Sequence, residues 1–276
     1  MNAPHATDDH ADALRNFVEA HRRMFVVTGA GISTDSGIPD YRDGQGQWKR
    51  SPPMTLQMFM SGEPARARYW ARAMIGWRYF DGIRPNVAHR ALAKLEQAGR
   101  IELLLTQNVD GLHEAAGSLN VVDLHGRIDR VRCMQCGEIT RRNAMQQRLQ
   151  ADNPAWTDLD ARIAPDGDAD LDGLDFSTFH VPPCLVCGGI LKPDVVFFGE
   201  NVPRARVDTA WAHLARADAV LVVGSSLMVY SGYRFVLEGS RLGLPIASLN
   251  LGVTRADALL TLKIEQGCAE ALAPYA

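Results

Sequence analysis

The sequence has no apolar run of the length that a membrane-spanning helix needs, which is about 18 residues. It also has no excess of basic charge, because 29 Lys and Arg residues face 32 Asp and Glu residues. Binding that depends on nucleic acid or on an anionic membrane is therefore not expected. The acidic N-terminal segment, residues 1–21, has neither the apolar core of a signal peptide nor the character of a transit peptide. We expect a cytoplasmic protein.

Cysteine is scarce, and its five copies are distributed unevenly along the 276 residues. Four of them form two Cys-x-x-Cys-Gly motifs, at Cys133 and Cys136 and at Cys184 and Cys187. This usage fits a reducing compartment and a metal better than a disulfide framework. Four thiolates fill the coordination sphere of a tetrahedral zinc ion and leave no position for a substrate. We therefore predict one structural Zn²⁺ site, with two redox-active dithiols as the less favoured alternative.

Short apolar runs alternate with helical patterns along most of the chain. Runs without polar alternation are typical of strands that are buried on both faces of a parallel sheet. Such runs lie at 24–28, 101–106, 120–124, 219–223 and 244–249, with a weaker one at 258–262. Periodic apolar residues and helix-forming composition predict helices at 8–22, 86–99, 203–217 and 230–242. The pattern predicts an α/β fold with a Rossmann-like, doubly wound parallel sheet.

Two segments do not fit such a sheet. Residues 43–85 begin with a loose loop and continue as a helical stretch rich in Met, Trp and Tyr, and residues 128–192 carry both cysteine motifs. We therefore predict a smaller zinc-binding and helical domain that is formed by these insertions. The predicted units are a Rossmann-like cofactor-binding domain at 1–42, 86–127 and 193–276, a helical insertion with a cofactor loop at 43–85, and a zinc-ribbon module at 128–192.

The first predicted strand ends at Gly29-Ala30-Gly31, a turn that can bring backbone N–H groups close to a pyrophosphate. A glycine turn after a strand is also common as a purely structural feature. The acidic ribose ligand that a dehydrogenase carries about 20 residues further on is missing. In its place stands the segment from Gly37 to Arg42, in which Pro39 interrupts the helix. This segment is typical of a flap over a phosphorylated ligand, with Arg42 as the phosphate partner.

Polar residues follow four of the predicted strands. The carboxyl ends of parallel strands are where ligands bind in such sheets. A single polar strand end is often a turn or a helix cap, but four together predict a ligand site. The residues concerned are Gln107, Asn108 and Asp110 after one strand, His125 after the next, then Ser225 with Ser226, and Asn250.

Eight motifs occur in an order that resembles the sirtuins, the family of NAD-dependent protein-lysine deacylases. The motifs are GAGIS, GIPDYR, TQNVDGLH, LHG, the paired Cys-x-x-Cys, PDVVFFGE, VGSSL and NLG, and the match covers roughly residues 20–270. The segments LKPDVVFFGE and YWAR are most similar to the class II branch, which includes a mitochondrial sirtuin with lipoamidase activity. The resemblance implies that NAD is consumed while an acyl group leaves lysine, with nicotinamide and acylated ADP-ribose as the other products.

The resemblance also implies roles for individual residues. His125 would be the general base that activates a ribose hydroxyl, since an imidazole can do this near neutral pH. Asn108 would belong to the catalytic group and, with Gln107 and Asp110, would hold the nicotinamide ribose and its carboxamide. The residues expected to bind the cofactor are Gly29, Ala30, Gly31, Ile32, Ser33, Gly37, Ile38, Pro39, Asp40, Tyr41, Arg42, Trp48, Gln107, Asn108, Val109, Asp110, Gly224, Ser225, Ser226, Asn250, Leu251, Gly252 and Cys268.

The acylated lysine of a protein or peptide is the implied substrate. Main-chain pairing with it, a form of β-augmentation, is expected from Val195, Val196, Phe197, Phe198 and Gly199. Tyr69 and Arg72 have the Tyr-x-x-Arg spacing of relatives that prefer negatively charged acyl groups. The two intervening residues match the lipoamidase-like branch instead, so acetyl, succinyl-like, lipoyl and long acyl chains all stay open. Ser231 is a departure, because many sirtuins have proline there.

Three other functions are weighed against deacylation. Mono-ADP-ribosyl transfer to protein would use the same cofactor, and a non-catalytic module that binds NAD or ADP-ribose would need only the zinc-supported fold. A hydride-transferring dehydrogenase is the least favoured, because the acidic ribose ligand is missing. The oligomeric state is not predicted, although a monomer is compatible with the sequence.

Overall fold

The computed structural model describes residues 6–49, 53–159 and 173–276. The parts of the three predicted units at 1–5, 50–52 and 160–172 lie outside the described residues. The helices are α1 (Ala6–Ala20), α2 (Leu56–Met60), α3 (Glu63–Phe80), α4 (Val87–Gln97), α5 (Leu112–Ala115), α6 (Arg142–Asp152), α7 (Arg204–Leu214), α8 (Tyr230–Arg241) and α9 (Cys268–Leu272). The strands are β1 (Met24–Thr28), β2 (Ile101–Thr106), β3 (Val121–Asp123), β4 (Gly126–Cys133), β5 (Ile139–Arg141), β6 (Leu191–Val195), β7 (Ala219–Val223), β8 (Ile246–Leu249) and β9 (Leu262–Ile264).

Six strands form a parallel sheet in the order β3-β2-β1-β7-β8-β9. Strand β1 shows why uninterrupted apolar runs predict strands of such a sheet, since all five of its residues are buried. Met24 and Val26 pack into one apolar cluster, whereas Phe25 and Val27 pack into the cluster on the opposite face. Both faces are therefore covered, which confirms the predicted Rossmann-like, doubly wound α/β fold.

The strand order reverses between β1 and β7, because the chain first builds outward to β3 and later returns to build outward to β9. In open α/β sheets, the loops at the carboxyl ends of the two central strands diverge at such a point and leave a crevice. The segments that follow β1 and β7 contain the glycine turn and the two serines predicted for the ligand site. The topology thus brings these distant segments together.

A second sheet of three antiparallel strands has the order β5-β4-β6. Helices α3 and α6 pack with it around an apolar cluster that includes Trp70, Met145 and the cysteines Cys133 and Cys184. Strand β6 crosses the proposed boundary at residue 193, so the division of the chain into three units remains a prediction. No helix among the described residues is long and apolar enough to cross a membrane.

Two local expectations need correction. The weak strand predicted at 258–262 lies instead at Leu262–Ile264, because residues 257–259 form a 3₁₀ turn before the chain becomes extended. After β1 the chain does not begin an α-helix that proline interrupts. It forms two 3₁₀ turns, Ala30–Ile32 and Thr34–Ser36, and Gly37 ends the second with a left-handed φ of 91°. The break therefore comes earlier than the position of Pro39 indicated.

Candidate active site and metal centre

The glycine turn after β1 contacts the turn after β7 through backbone atoms. The N–H of Gly31 donates to the carbonyl of Gly224 over 2.8 Å. A Cβ on Gly31 would lie 2.9 Å from that carbonyl oxygen, and one on Gly224 would lie 2.3 Å from the Ile32 nitrogen. No larger side chain fits at either position without moving the backbone. The two glycines thus let the floor of the crevice form from main chain alone.

Amide side chains at the end of β2 connect the neighbouring strand ends. Gln107 Nε2 donates to Ser225 Oγ at 2.7 Å and to the carbonyl of Thr28 at 3.2 Å. Asn108 Nδ2 donates to the carbonyl of Gly29 at 3.2 Å and to Ser33 Oγ at 3.1 Å. These bonds orient both amides across the crevice.

Asp110 is the acidic group of this cluster. Ser33 Oγ donates to one carboxylate oxygen at 2.8 Å, and the N–H of Leu112 donates to the other at 2.9 Å. Burial raises the pKa of Asp110, and the two hydrogen bonds partly oppose that rise because they stabilise the carboxylate. Asp110 is thus a desolvated acid whose orientation is set by the loop after β1.

Two buried histidines lie behind this cluster. His113 Nε2 is 2.9 Å from Thr28 Oγ, and its ring centroid lies 4.9 Å from that of His89. Burial lowers the pKa of His113 well below its usual value and that of His89 to about 4. Both rings are therefore neutral near pH 7, and they pack behind the loop that carries Asp110.

His125 follows β3 and is held at both ring nitrogens. Its Nδ1 lies 2.8 Å from the carbonyl oxygen of Gln107, and its Nε2 lies 2.7 Å from Ser231 Oγ. Because a carbonyl only accepts, Nδ1 carries the hydrogen and Nε2 of the neutral ring has the free electron pair. Burial lowers the pKa of His125 to about 4, and the charges of Arg206 and Arg234 act in the same direction. The neutral, proton-accepting form is thus favoured.

The predicted flap continues beyond Arg42 as a loop to Trp48, and residues 37–48 together form the flap on one side of the crevice. The guanidinium of Arg42 lies 3.9 Å from the ring centre of Trp48 and donates to the carbonyl of Gly46 at 2.7 Å. Residues 42 and 48 form an antiparallel bridge, and Asp43 accepts backbone N–H groups within the turn between them. Trp48 also contacts the ring of Phe198 edge-on, with 5.8 Å between ring centres. The flap is thereby linked to the segment after β6.

That segment runs directly beside the histidine. The N–H of Val196 donates to the carbonyl of His125 at 2.8 Å, and the carbonyl of Phe198 accepts from the N–H of Leu56 at 2.9 Å. Glu200 accepts from the N–H of Phe197 at 2.9 Å and from the ammonium group of the buried Lys192 at 3.0 Å. The segment is therefore fixed at several points close to the candidate base.

These elements enclose one cavity of about 600 Å³. Most of the predicted site residues line it, namely Gly29, Ala30, Gly31, Ser33, Ile38, Asp40, Tyr41, Arg42, Trp48, Gln107, Asn108, Val109, Asp110, His125, Val195, Val196, Phe197, Phe198, Gly199, Gly224, Ser225, Ser226, Asn250, Leu251 and Tyr69. The structure therefore brings together segments that are more than 200 residues apart in the chain.

Six predicted residues are not among the described residues that line the cavity: Ile32, Gly37, Pro39, Gly252, Cys268 and Arg72. Ile32 is fully buried in the core, and the thiol of Cys268 is buried 3.9 Å from the carbonyl of Leu249. Gly252 packs against the backbone of Gly44 instead. Tyr69 reaches the cavity, while Arg72, three residues further along α3, does not line it.

The segment from Leu227 to Ser231 lines the cavity although none of its residues was among the predicted site residues. Leu227 is buried and has a left-handed φ of 55°, an uncommon conformation for a non-glycine residue. The segment joins the end of β7 to α8. Its position after a polar strand end was the available signal, because such loops border the ligand crevice in these sheets.

The four paired cysteines form the metal centre. Their Sγ atoms all lie within 4.8 Å of one another, with 3.5 Å between Cys133 and Cys187 and 3.8 Å between Cys136 and Cys184. A tetrahedron with Zn–S bonds of about 2.3 Å has edges of about 3.8 Å, so the cluster fits a zinc ion. The glycine after each pair has a left-handed φ, 77° at Gly137 and 73° at Gly188, as the tight turn requires.

The environment of Cys133 favours a thiolate. Backbone N–H groups of Cys136 and Gln135 lower the pKa of the Cys133 thiol to about 6. Cys133 and Cys184 also belong to the apolar cluster between α3 and the small sheet. A metal held by all four sulfurs would have no open position, which fits the predicted structural role.

The fold and site define a class of protein: an α/β protein with a crevice at its switch point, a histidine in that crevice and a separate Cys₄ centre. The model of the Sir2 family matches residues 29–231 of the sequence. The chain belongs to the Sir2 family, which confirms the resemblance seen in its motifs.

Relatives with similar sequences cover nearly the whole chain. An NAD-dependent protein deacetylase of Bordetella bronchiseptica is 64% identical over 261 residues, which are 95% of each chain. The human mitochondrial NAD-dependent protein lipoamidase sirtuin-4 is 47% identical over 273 residues, 98% of this chain and 87% of its own. A Sir2 structure with p53 peptide and NAD⁺ has a TM-score of 0.72 and 31% identity, and 94% of each chain is covered.

Proposed function

We propose that this protein is an NAD-dependent protein-lysine deacylase, which yields free lysine, nicotinamide and O-acyl-ADP-ribose. One observation carries the proposal: a neutral histidine whose Nε2 is a hydrogen-bond acceptor lies in the same cavity as Asn108, Asp110 and the segment 195–199. The names of the relatives support it, since the Bordetella protein is a deacetylase and sirtuin-4 is a lipoamidase. None of the relatives named above is described as an ADP-ribosyltransferase or a non-catalytic module.

His125 is proposed as the general base. When bound, NAD supplies an electrophilic ribose carbon and a departing nicotinamide. The chain must then hold the weakly nucleophilic acyl oxygen in line with that carbon, and positioning of this kind lowers the barrier strongly. Nε2 of His125 would accept the proton of a ribose hydroxyl, while the carbonyl of Gln107 keeps the hydrogen on Nδ1.

Asn108 and Asp110 are proposed to hold the nicotinamide half of the cofactor. The side chain of Asn108 is oriented by hydrogen bonds to Ser33 and Gly29. That of Asp110 is oriented by hydrogen bonds from Ser33 and Leu112, so the hydroxyl of Ser33 links the two side chains. Arg42 is proposed as the partner of the NAD phosphates. Its guanidinium stacks on Trp48, and this contact holds the side chain in the cavity wall. A preorganised site of this kind loses little entropy on binding.

The acyl group is proposed to lie against Tyr69. The ring of Tyr69 packs against Phe59 and Phe197 in an apolar wall, with ring centres 5.4 Å apart in both pairs. Since Arg72 does not line the cavity, we propose that uncharged acyl groups are preferred over carboxylate-bearing ones. Peptides with acetyl-, lipoyl-, succinyl- and long-chain acyl-lysine, assayed with NAD, test this preference. Faster removal of the succinyl group would contradict it.

The zinc ion, the three-unit division and the location complete the proposal. Zinc would join the two Cys-x-x-Cys loops and so stabilise the small sheet beside the cavity. The predicted units at 1–42 with 86–127 and 193–276, at 43–85 and at 128–192 are kept as proposed. A cytoplasmic location is also proposed, because a reducing compartment keeps four thiols available for a metal.

A histidine substitution tests the function. His125→Ala should lower the formation of O-acyl-ADP-ribose from an acetyl-lysine peptide by a factor of about 10²–10⁴, the usual contribution of a general base. Product analysis by mass spectrometry measures it. His180→Ala is a matched control, because His180 is exposed in the small domain. Full product formation by the His125 variant would contradict the proposal, as would modified protein without release of lysine.

A further inference from the structure

The electron pair of the proposed base already has a hydrogen-bond partner. Ser231 Oγ lies 2.7 Å from His125 Nε2. Since Nδ1 donates to the carbonyl of Gln107, Nε2 of the neutral ring is an acceptor and the hydroxyl of Ser231 is the donor. Both residues line the cavity, so this contact lies where a ribose hydroxyl would approach Nε2.

We propose that Ser231 is a positioning residue that holds His125 ready for proton transfer and then stabilises the protonated ring. The inference rests on the proposed deacylase function and adds a residue to it. A hydroxyl group suits both tasks, because it donates through its hydrogen and accepts through its oxygen. Neither proline nor alanine at this position has a side-chain hydrogen-bonding group.

The proton balance is simple. In the neutral state Ser231 donates to Nε2, and an arriving ribose hydroxyl displaces it from the electron pair. The ribose O–H bond would break with its electron pair left on the ribose oxygen, and an Nε2–H bond would form, which leaves an imidazolium. Ser231 keeps its own hydrogen, turns about its Cβ–Oγ bond and accepts the new Nε2–H in its oxygen electron pair. No other reactant is needed.

The surroundings of His125 make such an acceptor important. Burial opposes a positive charge on the ring, and the charges of Arg206 on α7 and Arg234 on α8 oppose it further. Ser231 is also the second residue of α8, and the positive end of a helix dipole disfavours a cation there. A hydrogen bond to a charged group is worth more than one between neutral groups, so an acceptor at Nε2 offsets part of this cost.

The backbone around Ser231 is fixed to the other support of the ring. Gly232 lies so close to Gln107 that a Cβ on it would be 2.4 Å from Gln107 Oε1. Gln107 is the residue whose carbonyl accepts from Nδ1. Arg234 Nε donates to the carbonyl of Ser231 at 3.1 Å. The two partners of the imidazole therefore belong to segments in direct contact, which holds the ring in one orientation.

Two reactions measured on the same enzyme separate a positioning role from a structural one. Formation of O-acyl-ADP-ribose requires the base, whereas exchange of labelled nicotinamide into NAD, in the presence of an acetyl-lysine peptide, requires only that the nicotinamide bond breaks and re-forms. Ser231→Ala should lower product formation at least about tenfold, as expected for a lost hydrogen bond to a charged group, while exchange stays at the wild-type level.

Two further variants complete the experiment. Ser231→Thr keeps the hydroxyl and should restore most of the product formation. Ser240→Ala, a serine later on the same helix, should behave as the wild type in both reactions. The inference is overturned if Ser231→Ala forms product at the wild-type rate, if it loses both reactions in parallel, or if Ser231→Thr is as impaired as Ser231→Ala. Failure of the wild type itself to form O-acyl-ADP-ribose would instead overturn the proposed function.

Discussion

Replacement of Gly252 by alanine tests how the flap is held over the crevice. Gly252 follows β8 and has a left-handed φ of 87°. A Cβ at this position would lie 2.1 Å from the carbonyl oxygen and 2.6 Å from the Cα of Gly44, in the flap. The next residue, Val253, donates its N–H to the same carbonyl at 2.9 Å. Gly252→Ala therefore forces the turn around Gly44 away from β8.

The cost has two parts. A left-handed backbone costs a residue with a Cβ about 1–2 kcal/mol, and this strain persists after the flap has moved. Displacement of Gly44 also breaks the hydrogen bond to Val253, whose net contribution is about 1 kcal/mol. We expect the free energy of unfolding to fall by about 2–3 kcal/mol. Because Gly44 lines the cavity, NAD affinity should fall at least about tenfold, which is about 1.4 kcal/mol.

Two control variants separate these parts. A Cβ on Gly44 itself would have its nearest protein neighbour 4.0 Å away, so Gly44→Ala should unfold with the stability of the wild type. Gly243 has a left-handed φ of 74°, but a Cβ there would meet no atom of the described residues within 4 Å, so Gly243→Ala isolates the backbone strain. Guanidinium unfolding measures stability and isothermal titration calorimetry measures NAD affinity. The reasoning is refuted if Gly252→Ala binds NAD as the wild type does, or if Gly243→Ala weakens binding equally.

Two other predictions concern the metal and the pH dependence of stability. Cys184→Ser should abolish zinc binding, because Cys184 is one of the four clustered cysteines. It should also lower the melting temperature, because Cys184 packs in the core of the small domain. Cys268→Ser should retain the metal. Metal analysis and thermal unfolding measure this, and an unchanged zinc content would contradict it. Burial raises the pKa of Asp123 from 3.8 to about 7, with the Glu114 charge acting in the same direction. The stability that this group contributes is fully present below pH 3.8 and is lost as the pH rises through 7, with a slope of at most about 1.4 kcal/mol per pH unit. Asp123→Asn should flatten unfolding stability between pH 3.8 and about pH 7 by guanidinium titration; the same slope in both proteins would exclude Asp123 as its source.

The elements of the large sheet were predictable because their signal is local. The runs at 24–28, 101–106 and 219–223 coincide with β1, β2 and β7. A strand that is buried on both faces consists mostly of consecutive apolar residues. The run of these residues in the sequence therefore marks where the strand begins and ends. At one edge of the sheet β9 has only three residues, two of them partly exposed, and its prediction was misplaced. The equally short β3 at the opposite edge lies within the predicted run at 120–124.

Residues of the site could be predicted from the sequence where the chemistry requires one particular type of side chain. The thiolates of the Cys₄ centre, the amides after β2 and His125 lie where their motifs indicated. Cys268 was assigned to the cofactor by the resemblance to the sirtuins. In the structure this residue is 6% exposed and packs in the core, where a free cysteine behaves as a small apolar residue. Its contact with the cofactor stays a prediction.

By itself, the sequence determined the class of fold, the metal ligands and the family, because each depends on residue types at short, regular spacings. The tertiary structure alone decided which distant residues meet. Ser231 and His125 are 106 positions apart, and Gly252 and Gly44 are separated by even more of the chain. Such contacts depend on the path of the backbone through the whole sheet, to within a few tenths of an ångström. No local sequence pattern predicts that path. The contact of Ser231 with His125 could therefore be identified only in the folded protein.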